Sequence, residues 1–180
     1  MYKIIAFLFL FQISFGQIDP EVTNAEYKDS IVETKKFYIG DIDNDKIKDY
    51  AISIASRSKE TNDVFRNSVD VKFSNNNEII GFYPSNGIYI TTIEDLNNDT
   101  ANEIIIFSNA NEGLWHYISV WTFKNRIWKK IGETKGFCSD FEDFLNRVVK
   151  INDKFFLIGD TWDLDEKGDF KKIKIKLKTK

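Results

Sequence analysis

The sequence predicts an all-β fold: two or three antiparallel units in an open or sandwich-like domain, with one short helix near residues 140–149. Three observations predict it. Short runs alternate apolar and polar residues, the period-two spacing of half-buried strands. Turns rich in Asn, Asp and Gly separate those runs. A strand–acidic loop–strand pattern occurs twice, with Asp41 and Asp95 at corresponding places 54 residues apart.

Composition narrows the function classes. The 180 residues suit one domain, and 16 Phe, 7 Tyr and 4 Trp within a 42% hydrophobic content are enough to fill a core. Lys+Arg number 25 against 28 Asp+Glu, a net charge of −3. Such a balance lacks the concentrated basic footprint that phosphate backbones require, so nucleic acid is not an expected partner. One Cys and one His exclude a disulfide framework and a Cys/His zinc site.

Taken in order, the first element is a leader. Lys3 supplies a positive charge, Ile4 to Phe11 is unbroken apolar sequence, and Ser14-Phe15-Gly16 places small residues where a signal peptidase reads. Residues 1–16 therefore read as a secretory signal peptide. Its apolar stretch falls short of the about 20 residues that span a bilayer. No Cys follows it to carry a lipid. The expectation is a mature domain over 17–180, exported to the periplasm or beyond, with no membrane anchor after cleavage.

The first repeat unit covers about 37–83 and the second about 88–131. Each opens with strand, acidic loop and strand, and each continues into a hairpin. Ser68–Phe73 and Glu78–Phe82 flank a turn at Ser74-Asn75-Asn76-Asn77; Trp115–Phe123 and Arg126–Ile131 flank one at Lys124-Asn125. A degenerate third unit spans 154–178, ending in a strand whose Lys172, Lys174, Lys176 and Lys178 protect an exposed sheet edge. Between the second and third units, Ser139 with Glu142 reads as a capping box, and Phe141, Phe144, Leu145, Val148 and Val149 recur at helical spacing.

The acidic loops carry the chemistry. Asp41, Asp43, Asp45 and Asp49 hold positions 1, 3, 5 and 9 of the first loop; Asp95, Asn97, Asp99 and Glu103 hold them in the second. Alternate side chains along a curled loop converge, and converging carboxylates repel unless a cation lies between them. With backbone carbonyls of Ile47 and Ala101 at position 7, each loop offers the all-oxygen set that suits Ca²⁺ better than Mg²⁺, Zn²⁺ or Cu²⁺. Position 12 is Ile52 and Ile106, which excludes an EF-hand. Position 6, where a left-handed turn favours Gly, is Lys46 and Thr100, so strain is expected there. By ligand charge, the first loop should bind more tightly.

The run Gly40-Asp41-Ile42-Asp43-Asn44-Asp45 … Asp49 before an apolar strand resembles an FG-GAP or VCBS-type repeat, the calcium-loop blade of integrin-alpha-like propellers. Ile93-Glu94-Asp95-Leu96-Asn97-Asn98-Asp99 … Glu103 resembles a second copy. The resemblance covers 37 to about 131 and implies propeller-blade-like units, Ca²⁺ on the eight loop side chains, and a role in adhesion or recognition.

Three functions compete. The leading one is an exported, calcium-binding module with a non-catalytic binding role, its partner a protein or a carbohydrate. A small envelope or secreted inhibitor or interaction protein is the second. The third is a carbohydrate-binding or hydrolytic protein using the strand in which Trp115, Tyr117, Ser119, Trp121 and Phe123 share one face. That face is either a stacking platform or core. No nucleophile elbow, HExxH or phosphate loop is present, and no catalytic residue is assigned. His116 and Cys138 both read as structural, the latter as a small buried hydrophobe.

Overall fold

The computed structural model describes residues 30–59, 65–110, 113–139, 144 and 146–179. The leader read at 1–16 lies outside them. The described residues form three antiparallel sheets. The first is β1 (Ser30–Gly40), β2 (Asp49–Lys59), β3 (Phe65–Phe73) and β4 (Ile79–Phe82). The second is β5 (Ile88–Thr92), β6 (Ile104–Asn109), β7 (Trp115–Lys124) and β8 (Ile127–Phe137). The third is β9 (Val148–Ile151), β10 (Lys154–Leu164) and β11 (Phe170–Lys176), with β10 central. Within each sheet, neighbours in sequence are neighbours in space. Every connection is therefore local, and none of the sheets closes into a barrel.

Turn chemistry sets the registers. Asn125 and Arg126 take φ of 54° and 64° between β7 and β8, and Asn152 and Asp153 take 48° and 57° between β9 and β10. Two successive left-handed residues make the turn whose twist matches a two-residue hairpin. The β7–β8 turn thus falls one residue beyond the Lys124-Asn125 expected from sequence, because Arg126 rather than Lys124 supplies its second left-handed position.

The second sheet is the middle layer. Ile104 and Ile106 of β6 point to one side, into a core with Ile39, Ala51, Val71, Phe73 and Ile80 of the first sheet. Ile105 and Phe107 point to the other, into a core with Ile118, Val120, Leu157 and Leu177. A strand covered on both faces can be apolar at every position, which is why Ile104-Ile105-Ile106-Phe107 shows no alternation. Each such side chain contributes about 1.5–3 kcal/mol by leaving water.

The third sheet is attached through β8. Lys178 N–H donates to Ile131 O at 2.9 Å. A Cβ on Gly159 would stand 2.6 Å from Lys135 O, so only glycine lets β10 cross β8 this closely. Beside the crossing, the buried Asp160 carboxylate accepts Phe137 N–H at 2.8 Å and pairs with Arg147 at 2.9 Å and Lys172 at 2.5 Å. Burial by itself would raise the Asp160 pKa; the bonds from Lys172, Arg147 and Phe137 outweigh it and hold the group below its ordinary value.

The helix expected over 140–149 needs correction. Residues 140–143 and 145 lie outside the described set, Phe144 is in 3₁₀ conformation, and Val148 and Val149 belong to β9. Pairing of Val148 with Leu157 and Val149 with Phe156 wins over the helical spacing of that stripe. Most of the aromatic strand is core. Trp115 is buried against Phe137, Phe170 and Trp162, and Phe123 against Trp128, while Tyr117 stays exposed and Trp121 half-buried. Cys138 is buried, and His116 is buried with Nδ1 3.0 Å from Leu114 O. Burial, together with the nearby Arg147 charge, lowers the His116 pKa, with the Leu114 carbonyl opposing.

Candidate metal centre

Both acidic loops join the first two strands of a four-stranded sheet, and their backbones follow one plan. At position 2, Ile42 and Leu96 are buried in the two cores and act as anchors. With that side chain turned inward, the neighbouring odd positions turn out of the core together. Asn44 and Asn98 have φ of 61° and 60°, Lys46 and Thr100 have 71° and 75°. The left-handed geometry expected at position 6 is therefore present on residues that tolerate it poorly, Thr100 worst because it is β-branched.

Four of the hydrogen bonds correspond between the loops. Asp45 N–H donates to Asp41 Oδ1 at 3.1 Å, and Asp99 N–H to Asp95 Oδ1 at 3.3 Å. Lys46 N–H and Thr100 N–H reach the other oxygen of the same carboxylates, each at 2.9 Å. Ile47 N–H donates to Asp45 Oδ1 at 2.7 Å and Ala101 N–H to Asp99 Oδ1 at 3.0 Å. Ile42 N–H donates to Asp49 Oδ2 at 3.1 Å, and Leu96 N–H to Glu103 Oε2 at 2.6 Å. The two loops also touch, since Asn44 Nδ2–H donates to Thr100 Oγ1 at 3.1 Å.

This winding brings carboxylates together. Asp41, Asp43 and Asp45 form one group and Asp95, Asp99 and Glu103 another, with one oxygen from each residue within 4.8 Å of its fellows. Oxygens so spaced can share one cation at bond lengths of 2.3–2.6 Å. Electrostatics agree with crowding. Partial desolvation, then the charges of Asp45, Asp49 and Asp41, raise the Asp43 pKa. Burial raises that of Glu103, with Asp99 and Asp95 adding to the effect.

Position 9 behaves differently in the two loops. Asp49 lies outside its group: Oδ1 accepts the Ser74 hydroxyl at 2.7 Å while Oδ2 holds Ile42 N–H, so both oxygens brace the loop. Glu103, one methylene longer and 1% exposed, braces Leu96 and still reaches Asp95 and Asp99. Asn97 lies beside it, its Nδ2–H donating to Glu103 Oε1 at 2.7 Å and Thr122 Oγ1 at 3.0 Å. The Asn97 Oδ1 is enclosed without a hydrogen-bond partner. A bare acceptor in the loop that carries three grouped carboxylates can be met by a cation or by a water.

Ile47 and Ala101 stand at position 7 of each loop, Ile47 exposed and Ala101 buried. Sequence reading missed Ser74 and Thr122. Each comes from a strand end 25 residues beyond its partner, and only sheet pairing places it there. No protein-family model, curated protein or solved structure matches the chain.

Proposed function

We propose that the chain is an exported calcium-binding β module with a non-catalytic binding role, its acidic loops related to FG-GAP or VCBS-type repeats. One observation carries the metal reading: two loops 54 residues apart share the same left-handed positions and four hydrogen bonds, and each gathers three carboxylates. The unpartnered Asn97 Oδ1 supports it independently.

Asp41, Asp43 and Asp45 would hold one ion, and Asp95, Asn97, Asp99 and Glu103 another, with the Ile47 and Ala101 carbonyls and water completing each shell. The ion would supply charge compensation. The chain's residues do the rest: Asp49 and Glu103 pin the position-2 N–H, and Ile42 and Leu96 fix the loops to the cores. The module's binding surfaces are then presented on stiffened edges of the first two sheets. Folding and metal binding are linked in such an arrangement.

The test is thermal unfolding of the chain in chelator, in millimolar Mg²⁺ and in millimolar Ca²⁺. A rise in midpoint selective for Ca²⁺ is expected. An unchanged midpoint in all three would reduce the loops to Asp/Asn turns that bond their own backbone.

A further inference from the structure

A cleft opens between the first two sheets. Their backbones approach at β1 and β5, and the cleft lies on the opposite side, beside β4. There β4 has only 4 residues against 10 in β7 and 11 in β8, so part of the middle sheet is left uncovered. The resulting cleft has a volume of about 230 Å³. Tyr83, Tyr117 and Trp121 supply its aromatic walls, and Gly81, Ser108 and Ser119 leave room between them.

Two of the rings have polar neighbours. Trp121 Nε1–H donates to Ser119 Oγ at 2.9 Å, and the Lys130 ammonium lies 5.8 Å from the Trp121 ring centroid. Lys135 sits 4.8 Å from the Tyr117 centroid. Tyr83 is 56% exposed and Tyr117 37%, which leaves ring surface open to a ligand. Lys130 and Glu133 at the rim form an ion pair with each other.

We propose that this cleft binds one ring of a neutral saccharide. A pyranose presents a C–H face that lies flat on an aromatic ring, and hydroxyls at its edge that need donors and acceptors. Aromatic rings beside Ser119, Lys130 and Glu133 offer both. The rim pair compensates its own charge, so nothing in the cleft selects an ion. The volume is below that of a pocket for a drug-sized ligand and suits a single small ring. Glu133 is the one carboxylate among the described lining residues, and the proposal is for binding alone. The proposal rests on the binding-module reading and supplies its ligand class, but it does not require the metal.

The experiment titrates the chain with cellohexaose, maltohexaose, xylohexaose and chitohexaose, followed by tryptophan fluorescence and calorimetry in Ca²⁺ and in chelator. At least one is expected to saturate. Tyr83→Ala and Tyr117→Ala should each weaken it tenfold or more with an unchanged unfolding midpoint, and Glu133→Gln should weaken it less. No saturation by any of the four, undiminished binding by both tyrosine variants, or binding of decaproline in their place would overturn the proposal. Saccharide binding without a Ca²⁺-selective midpoint shift would overturn the metal reading alone.

Discussion

The two acidic loops share a backbone and differ at one side chain, and that difference changes what the loop is. In the first, Asp49 is too short both to brace Ile42 and to join Asp41, Asp43 and Asp45, so it serves the fold with Ser74. In the second, Glu103 does both from a buried position. The first group is largely exposed, with Asp43 and Asp45 open to water; the second is half-buried and includes an enclosed amide oxygen. Counting carboxylates favours the first loop, four against three. Geometry leaves three in each and gives the second the drier environment, where electrostatic attraction is stronger. The second loop should therefore bind the ion more tightly.

The largest effect that would sharpen this comparison comes from Glu103→Ala. It leaves the buried Leu96 N–H unpaired and removes a proposed ligand. It should cost about 1–3 kcal/mol in chelator. It should also abolish the tighter calcium step, adding a loss of about 2.7 kcal/mol at a 100-fold excess over Kd. Unfolding in denaturant under both conditions measures this, and equal losses would refute the role of Glu103 as ligand. Asp49→Ala is the matched comparison. It should also cost about 1–3 kcal/mol, but by the same amount with and without calcium, if the residue only braces the loop as its two hydrogen bonds indicate. A loss confined to calcium would break the proposed asymmetry.

Asp43→Asn should act with opposite signs. Its raised pKa means that the ionised carboxylate is penalised in the metal-free native state. At neutral pH in chelator the variant should be the more stable protein. That advantage should disappear as pH falls through the raised native pKa toward the ordinary value of 3.8, where the wild-type group is protonated whether folded or not. In calcium the order should reverse, since a ligand charge is lost. Melting curves of the two proteins across pH, with and without calcium, decide the matter. An Asn variant that is never the more stable in chelator would contradict the crowding.

Smallest are the backbone effects. Gly at Thr100 or Lys46 relieves a left-handed conformation worth about 1 kcal/mol, more at the β-branched Thr100. The gain at Thr100 should be reduced by the lost bond from Asn44, and Asn44→Ala should remove that reduction. A double-mutant cycle reads the contact between the loops.

Much of the fold was legible from local signals. Period-two alternation, paired Asn/Asp turns and the 54-residue spacing locate the strands because each sheet is a meander whose neighbours are adjacent in sequence. Position 6 was legible too, since the loop's curl demands a left-handed residue whatever side chain stands there. The stretch around Val148 was misread because its apolar spacing fits a helix equally well, and pairing with β10 decided it. The aromatic strand was ambiguous for a similar reason: its alternation is the same whether a second sheet covers it or not. The third sheet lies over Trp115, and the short β4 leaves Trp121 and Tyr117 at a cleft.

Sequence alone determined the all-β class, the two acidic loops and the oxygen-only chemistry of their side chains, because winding, turn type and ligand hardness are properties of a few consecutive residues. Tertiary structure decided which carboxylates meet, that Asp49 braces while Glu103 also reaches its group, and where aromatic surface stays open. Those outcomes depend on contacts with Ser74, Thr122 and β4, which lie far along the chain and are brought near only by sheet pairing and layering.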